Sequence, residues 1–454
     1  MLELINMFRK ISALRSLVIL AVILITQSSK GQNTNLQREN IVTDTLEQIN
    51  NKESITHPLD PGKVIDDIVP KPGSVFDVGV GQSYFDWKDN VYDKIGLKFG
   101  VSYQMLNQAA STVAPDAIYD RAVGQWVGFL TKWTMINRKK GKNKGGLVFS
   151  MFDRRALGNN AVPSNFGIID VGGITTNVEF TYWNFAIENL YWEQWFNLGK
   201  RDFMFRIGNQ VATVLIDPFR FKDSRVSFTT GPFCFHPTMP APTFGFGAGF
   251  KWLPAEGSGL YITGTLNDIN GDPNLQGFDW STVSRGEFFY GGEVGYNWVR
   301  GKGDYDHLSL LVFYADKRST RSPETLPNEA GGGFSILGEK QVNHWVGFAK
   351  YTYNTAQGGG VTGTLSNHTF TAGAVYKNLL NVTGETGIGF YHMNPIDEMF
   401  GEDARNQMGI ETYWRILLTR NIWVTPGMQF VFNPTLNPED DFIAIPQFKF
   451  RIAI

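Results

Sequence analysis

The residues of this chain that could do chemistry are spread out rather than clustered. The six histidines lie far apart, and none forms the closely spaced pair that binds zinc on a helix: His57, His236, His307, His344, His368 and His392. Cys234 is the single cysteine, so it forms no intramolecular disulfide. The glycine runs at 331–333 and 358–360 lack the lysine that a phosphate-binding loop needs. The pattern favours a protein that is not an enzyme, and it predicts neither a metal nor a cofactor.

Charged and hydrogen-bonding side chains recur at every second position of apolar segments. In residues 408–418 one parity is mostly apolar or aromatic, and the other carries Glu411, Tyr413 and Arg415. Residues 442–454 repeat this alternation. A period of two is typical of β-strands, whose successive side chains point to opposite faces. A soluble sheet can show it on some strands, whereas a transmembrane barrel needs it on every strand, because one face meets lipid and the other a wet lumen.

Composition points to the same fold class. The chain has 454 residues, 49 of them Gly, with 14% aromatic and only 19% charged residues. Its formal net charge of -2 argues against nucleic-acid binding, which would require a basic surplus. Two or three soluble domains would also suit this length. We predict instead an all-β fold, a transmembrane antiparallel up-and-down β-barrel with a short polar N-terminal segment.

Three regions are predicted along the chain. Residues 1–32 are typical of an export signal peptide, because three basic residues precede an apolar run at 17–25. That run is too short to span a bilayer, and a short membrane anchor or a buried helix is the alternative. Residues 33–90 are predicted to form a polar segment on the periplasmic side, with a short helix near 41–55. Residues 91–454 are predicted to form the barrel, which places the protein in the outer membrane of a Gram-negative cell.

Sixteen segments show the alternation, at about the length of a tilted strand that crosses a bilayer. They lie near 95–105, 125–138, 146–155, 173–184, 188–198, 203–214, 244–252, 259–268, 286–299, 306–315, 343–354, 367–377, 384–393, 407–418, 422–432 and 443–454. Barrels of this kind alternate short turns with longer loops, but here 199–202 is short where a long loop is due, and 217–243 is long where a turn is due. The sequence therefore predicts that one segment before residue 200 is not a strand, and that a strand between 316 and 342 is missing from the set.

Strand parity assigns side chains to the barrel lumen. Phe203, Phe205 and Ile207 share the lipid-facing parity, so Arg206 must point inward. A charge on the lipid side would cost up to ~2–4 kcal/mol near the membrane midplane. The candidate pore-lining and solute-binding residues are Arg206, Arg415, Glu411, Glu193, Glu293, Gln429, Lys132 and Tyr413. The same rule turns Lys98, Lys251, Lys377, Lys449, Arg451, Gln104, Tyr191 and Trp195 inward, although Lys98, Lys377 and Lys449 also suit a solvated rim.

This mixture of charges and aromatic rings suits a neutral polyhydroxylated solute. Arginine and carboxylate groups hydrogen-bond vicinal hydroxyls, and an aromatic face packs on the apolar face of a sugar ring. An ion-selective pore would show a ring of one charge instead. Six tryptophans near strand ends are predicted to form interfacial girdles: Trp133, Trp183, Trp252, Trp298, Trp414 and Trp423.

Several short motifs resemble those of one membrane-protein family. They are residues 189–194 (NLYWEQ), 205–208 (FRIG), 233–242 running into 244–248, 411–415 (ETYWR), 424–430 (VTPGMQF), 432–434 (FNP) and the acidic pair at 440–441. In order and spacing, across residues 85–454, the chain is similar to the carbohydrate-selective outer-membrane porins of the OprB type.

The resemblance implies a barrel of sixteen strands through which glucose and other sugars pass by facilitated diffusion, without cofactor or energy input. It also implies that inward loops and charged side chains narrow the channel. Arg206 and Arg415 lie in motifs that match those of the family, so they are the implied candidates for this role. The implied partners are small sugars and outer-membrane lipids, and a homo-oligomer is compatible with it. One departure is Ile454, where such barrels usually end on an aromatic residue. A general or anion-selective porin, a catalytic barrel and a structural surface protein stay open as alternatives.

Overall fold

The computed structural model describes residues 57–138, 143–174, 177, 180–243, 245–271, 280–301, 304–318, 329–355, 364–401 and 404–454. The predicted export signal and the predicted helix near 41–55 lie outside these residues. Among the described residues, α1 (Pro61–Asp66) and α2 (Gln82–Ile95) precede the first strand. Single helical turns occur at Pro163–Asn165, Phe166–Asp170, Ala212–Val214, Gly231–Cys234, Val283–Arg285, Leu379–Asn381 and Asp397–Phe400. No helix in the described ranges is long and apolar enough to cross a membrane.

In the part of the chain that the structure describes, sixteen antiparallel strands form one closed barrel. They are β1 (Leu97–Ala109), β2 (Arg121–Ile136), β3 (Gly145–Ala156), β4 (Trp183–Asn197), β5 (Asp202–Asn209), β6 (Phe246–Leu253), β7 (Leu260–Asp268), β8 (Phe288–Gly301), β9 (Asp304–Ala315), β10 (Gly331–Val342), β11 (Trp345–Asn354), β12 (Ser366–Lys377), β13 (Gly384–Pro395), β14 (Gln407–Thr419), β15 (Ile422–Phe432) and β16 (Phe442–Ala453). Each strand pairs with its neighbours in sequence, and β1 pairs with β16 from Ser102 opposite Ala453 to Gln108 opposite Gln447. The predicted fold class is confirmed.

Two errors in the predicted strands cancel in the count. The predicted strand at 173–184 is wrong, because its described residues belong to the connection before β4, which begins only at Trp183. The missing strand is β10, which begins with the glycines 331–333. Glycine has no side chain to mark either face, so the alternation is hidden there. The loop lengths in the sequence had predicted both errors, a false strand before residue 200 and a missing strand between 316 and 342.

Short and long connections alternate around the whole barrel. Those at one end have two to eight residues, and those at the other end have nine to thirty-six. We call these ends the short-turn end and the long-loop end. The longest connection, residues 210–245 between β5 and β6, is called the inward loop, because its described side chains are almost all buried inside the barrel.

The two faces of the strands differ as parity predicts. On β9, Leu308, Leu310 and Val312 are exposed on the outer wall, at 50%, 43% and 54%, whereas Ser309 and Leu311 between them are buried. Monomeric soluble proteins rarely expose so continuous an apolar surface, while the lipid-facing band of a transmembrane barrel requires it.

The tryptophan girdle is only partly as predicted. Trp133 and Trp298 are exposed on the outer wall near the short-turn end. The prediction is wrong for Trp423, whose side chain is buried on the inner face. The prediction used only the position of Trp423 near a strand end, and both parities of β15 carry apolar residues, so the sequence did not mark the face on which it lies.

Part of the lumen is filled by an apolar core that the inward loop carries. Phe219, Phe228 and Phe233 are fully buried. The ring of Phe219 lies 4.9 Å from that of Phe348 on β11, and the ring of Phe228 lies 4.8 Å from that of Tyr413 on β14. Burying such a side chain fully contributes about 1.5–3 kcal/mol. The inward loop is therefore a packed part of the barrel interior.

The chain before β1 also enters the barrel. Asp60 caps the first turn of α1. The helix then packs Val64 into one buried apolar cluster with Leu106 of β1 and Leu130 of β2. We call residues 57–68 the N-terminal insert, because they occupy the lumen beside the inner faces of β1 to β3.

Beyond the N-terminal insert the chain crosses the short-turn end and reaches the outside of the barrel. Val75 N donates a hydrogen bond to Leu417 O at 3.0 Å. Trp87 of α2 then packs edge-on against Phe99 of β1, with ring centroids 5.6 Å apart. Of the predicted polar segment 33–90, the N-terminal insert thus lies in the lumen, and the described residues after it lie at the short-turn end and against the outer wall.

Candidate functional site

Glu411 of β14 holds the inward loop from one side of the lumen. It is fully buried and accepts hydrogen bonds from Thr229 N at 2.7 Å and from Thr230 N at 2.8 Å. Gln447 Nε2 donates to Glu411 Oε1 at 2.8 Å, and Gln429 Nε2 donates to Gln447 Oε1 at 2.9 Å. Hydrogen bonds to charged groups contribute about 1.5–3 kcal/mol each, so this carboxylate is a strong anchor.

Two further wall carboxylates anchor the loop from other strands. Glu293 of β8 accepts a hydrogen bond from Asp217 N at 2.7 Å. Glu339 of β10 accepts one from Arg220 N at 3.0 Å. Two anchors lie close together on β8 and β10, and the third lies farther round the wall on β14, so they fix the loop from two parts of the lumen.

A buried charge cluster stabilises the start of the loop. The Asp217 carboxylate lies 2.8 Å from Lys222 Nζ, 2.5 Å from His236 Nε2 and 3.6 Å from Lys350 Nζ. Burial alone would raise the pKa of Asp217, but its interactions with His236, Lys222 and Lys350 hold it well below its usual value. Burial lowers the pKa of His236 to about 4, with Lys350 and Lys222 adding to the effect against the opposing pull of Asp217. His236 is therefore neutral at pH 7.

Arg206 of β5 links the wall to the N-terminal insert. Its Nη2 lies 3.0 Å from the Asp60 carboxylate and 3.5 Å from that of Glu193, and its guanidinium lies 4.7 Å from the ring centre of Tyr191. Lys132 Nζ lies 3.0 Å from the other oxygen of Glu193. All of these groups except Lys132 are buried, so removing one partner would leave an uncompensated charge at high cost.

Tyr413 and Arg415 of β14 share one carboxylate. Tyr413 Oη donates to Glu385 Oε1 at 2.8 Å and lies 3.0 Å from Ser227 Oγ of the inward loop. Arg415 Nη2 lies 3.3 Å from Glu385 Oε2, and its guanidinium lies 4.8 Å from the ring centre of Trp423. The pair extends the loop contacts of β14 toward the short-turn end.

The inner face of β2 carries Trp126, whose ring lies close to two arginines. The guanidinium of Arg154 is 4.2 Å and that of Arg225 is 5.1 Å from its ring. Arg154 pairs with Glu188 at 3.3 Å, and Arg225 of the loop pairs with both oxygens of Asp223, at 2.7 and 2.9 Å. Although burial raises the pKa of Asp223, Arg225 brings it below its usual value. Two ion pairs thus lie against one aromatic ring, one from the neighbouring strand β3 and one from the inward loop.

Next to this ring, several buried polar atoms have no partner among the described residues. They are Ser102 Oγ, Gln104 Nε2 and Trp126 Nε1, which lie on the inner faces of β1 and β2. Buried polar atoms normally find a hydrogen-bond partner in the protein or in ordered water. These atoms are therefore hydrogen-bonding groups that ordered water can satisfy.

A cavity of about 330 Å³ opens between the inward loop, the N-terminal insert and the short-turn end of the wall. We call it the vestibule. Four cationic residues line it, namely Lys71, Lys377, Arg415 and Arg451. Three carboxylates line it as well, from Asp67, Asp223 and Glu385.

The structure places all eight sequence-predicted site residues on the inner face. Arg415 is the one that lines the vestibule. The other seven make contacts that hold the inward loop, the N-terminal insert or neighbouring wall side chains: Arg206, Glu411, Glu193, Glu293, Gln429, Lys132 and Tyr413. Their role in binding a solute stays a prediction.

Strand parity identifies one further lumen residue that was not among the predicted site residues. Trp126 shares the parity of Lys132 in the predicted strand 125–138, so the rule already placed its ring in the lumen. Asp223 and Arg225 lie in the inward loop, where no period exists to assign them. Within the described ranges, no group of three or more His, Cys, Asp or Glu side chains could hold a metal ion.

Comparison with known proteins supports the architecture. No family model and no curated protein matches the chain. Among solved structures, the chain is similar to OprB of Pseudomonas putida in its high-pH structure, with a TM-score of 0.62 and 13% identity over 83% of this chain and 98% of that one. It is also similar to OmpF of Salmonella typhi in complex with daunomycin, with a TM-score of 0.51 and 9% identity over 79% of this chain and 98% of that one. The chain therefore has the porin fold.

Proposed function

We propose that this chain is an outer-membrane porin through which small sugars diffuse passively along a water-filled, charge-lined channel. The observation that carries the proposal is the inward loop, which three carboxylates pin inside a closed barrel. A loop fixed in this way narrows a channel to the size of small solutes while the closed wall keeps it rigid. The channel needs no cofactor or energy input.

The apolar outer surface of the barrel supports the proposed location in a membrane. Exposed apolar side chains cover it, as on β9, and the sixteen strands satisfy each other's backbone hydrogen bonds. The predicted export signal at 1–32 and the porin fold favour the outer membrane of a Gram-negative cell. Contacts with outer-membrane lipids, and with further copies of the chain, are part of the same proposal.

The sugar as solute is supported by the chemistry of the lumen and by the sequence motifs. Ion pairs of both signs, unpartnered hydrogen-bonding atoms and the ring of Trp126 lie together on the inner wall. Hydroxyl groups can exchange with water at such atoms at little cost. The sequence motifs that resemble carbohydrate-selective porins point to the same solute class.

The predicted site residues divide into two proposed roles. Arg415 contacts the solute directly, because it lines the vestibule. Arg206, Glu411 and Glu293 act by holding the inward loop and the N-terminal insert, because their charged groups already contact protein partners.

Swelling of liposomes that contain the purified full chain tests the proposal. We expect swelling in isotonic arabinose and glucose, at rates that fall steeply for maltose and larger sugars, with protein-free liposomes as the control. Absence of swelling in every sugar, together with ion conductance in planar bilayers, would overturn sugar diffusion and leave a general ion-conducting porin.

An anion-selective channel is the second candidate, and one observation favours it. The vestibule has four cationic residues against three carboxylates. The reversal potential in a salt gradient measures this selectivity directly, and a strong anion preference without sugar permeation would establish it.

A further inference from the structure

The vestibule has one apolar side and one charged side. Val64 of the N-terminal insert, Val226 of the inward loop and Trp423 of β15 supply apolar lining. The four cations and three carboxylates supply the rest. Its volume of about 330 Å³ lies at the small end of the range for small-molecule sites, roughly 300–1,000 Å³. A cavity of this size and polarity suits a single sugar ring better than an ion alone.

Two of the three carboxylates are already neutralised by close partners. Glu385 lies 3.3 Å from Arg415 and accepts a hydrogen bond from Tyr413 at 2.8 Å. Asp223 pairs with Arg225 through both of its oxygens. Each of these two carboxylates thus has a closer cationic partner than Lys71 or Arg451.

Lys71 and Arg451 are the two cations of the vestibule that form no ion pair with a described residue, although Asp67 and Asp223 act on them from a greater distance. No carboxylate among the described residues lies within 4 Å of either one, as the ion pairs of the lumen involve other cations. Arg451 is buried, and its Nε has no hydrogen-bond partner in the described part of the chain. Burial lowers the pKa of Lys71, and nearby Arg415 and Arg451 lower it further against the opposing effect of Asp67. Positive charge is thus concentrated at one place in the cavity.

We infer that the vestibule is a binding site for an anionic monosaccharide, a sugar ring that carries one carboxylate or phosphate group. The acidic group would sit between Lys71 and Arg451, where a planar guanidinium can make paired hydrogen bonds to it. The ring would lie against Val64, Val226 and Trp423. This inference rests on the proposed sugar channel and adds a preference within that solute class.

Planar-bilayer recording at low ionic strength tests the preference, since salt screens such contacts. D-Galacturonate and D-galactose form a matched pair, because they share the ring and differ in the carboxylate at C6. With the solute added from the short-turn side, we expect galacturonate to block the wild-type current at a concentration about ten- to a hundredfold lower than galactose, as for charge-assisted hydrogen bonds. Galactose 1-phosphate in a parallel arm shows whether phosphate serves as well as carboxylate.

Two variants assign the effect to the vestibule. Arg451→Gln and Lys71→Gln should each bring the galacturonate-to-galactose ratio close to one. Lys71 lies outside the strands, so Lys71→Gln tests the site even where Arg451→Gln fails to assemble. Lys317→Gln is the matched control, because Lys317 is an exposed cation paired with Glu329 in a connection at the long-loop end. Its ratio should equal that of the wild type.

The outcomes separate the inference from the proposed function. Equal block by the two sugars, or an unchanged ratio in both vestibule variants, overturns the inference. Block by acetate or inorganic phosphate at the same concentration as by galacturonate also overturns it, because the sugar ring then contributes nothing. Liposome swelling in galactose reports on the sugar channel independently, so its failure counts against the proposed function.

Discussion

At the scale of single residues, the wall carboxylates serve as acceptors for the inward loop rather than as free charges. Glu411 and Glu293 each receive backbone N–H groups of the loop. A change to the amide at such a site therefore disturbs the loop as well as the charge. The expected result differs from that of a solvated pore-lining residue, whose replacement would alter ion preference alone.

Glu411→Gln should widen the channel. An amide has one acceptor oxygen, so either Thr229 N or Thr230 N loses its hydrogen bond, at a cost of about 1–3 kcal/mol. We expect a larger and noisier single-channel conductance in planar bilayers, because the inward loop is released on that side. Glu329→Gln, which removes an exposed carboxylate, should conduct as the wild type does. Identical conductance in Glu411→Gln would contradict the anchoring role.

The buried His236 should make the protein less stable in acid. Its pKa is about 4 in the folded chain and 6.5 ordinarily, so the unfolded chain binds more protons between these values. The contribution of neutral His236 is fully present above pH 6.5 and is lost as the pH falls toward 4, a change on the order of 3 kcal/mol. The depressed pKa of Asp217 acts in the same direction, with its loss beginning below pH 3.8.

Thermal unfolding followed by circular dichroism between pH 7 and pH 4 measures this effect. The stability difference between wild type and His236→Gln should shrink as the pH falls. His344→Gln changes an exposed histidine and serves as the control. A difference that stays constant over the whole pH range would show that His236 does not titrate in this window.

At the scale of elements, the narrow part of the channel is assembled from two segments that are distant in sequence. His57 Nε2 of the N-terminal insert lies 3.0 Å from Asp217 O of the inward loop. Asp60 of the insert pairs with Arg206 of the wall. The insert and the loop therefore support each other, and a disturbance of the loop should also reach the insert.

Gly389→Ala should displace the inward loop from its position against β13. A Cβ at this position of β13 would lie 2.6 Å from Phe233 Cζ, and the Phe233 ring is fully buried. Overpacking of this kind costs about 1–3 kcal/mol. We expect a lower thermal stability and a raised conductance. Gly338→Ala on β10, where the space around the new methyl group is open, should change neither quantity. Equal stability of the two variants would mean that Phe233 yields without moving the loop.

At the scale of the whole molecule, backbone pairing between β1 and β16 closes the barrel. Val101 N donates to Ile454 O at 2.8 Å, and Ile454 N donates to Val101 O at 2.9 Å. Ile454 thus extends the seam between β1 and β16 by backbone pairing.

If the outer wall contacts lipid, a lysine placed on it should destabilise the folded barrel more at the middle of a strand than at its end. Phe448 lies in the middle of β16 and faces outward, so Phe448→Lys should cost about 2–4 kcal/mol. Phe442 shares that parity at the long-loop end of the same strand, and Phe442→Lys should cost about 0–1 kcal/mol. The yield of heat-modifiable folded barrel on gels compares them. Equal yields would argue against a bilayer around this wall.

The strands and the direction of their side chains were predictable from the sequence alone. Backbone geometry forces a period of two on every strand, so Arg206, Glu411 and Arg415 could be placed on the inner face without any knowledge of their neighbours. The prediction failed where this local signal is absent or ambiguous, as in the glycines 331–333 of β10 and at Trp423.

The inward loop, the N-terminal insert and the vestibule were decided by the tertiary structure. Residues 210–245 have no period, and their path depends on contacts such as that of Glu411 with Thr229, which only closure of the barrel brings together. The same holds for Lys71 and Arg451, whose shared cavity joins a segment before the first strand to the last strand. Local sequence determines which way a strand residue points, but which distant groups it meets is a property of the closed and filled barrel.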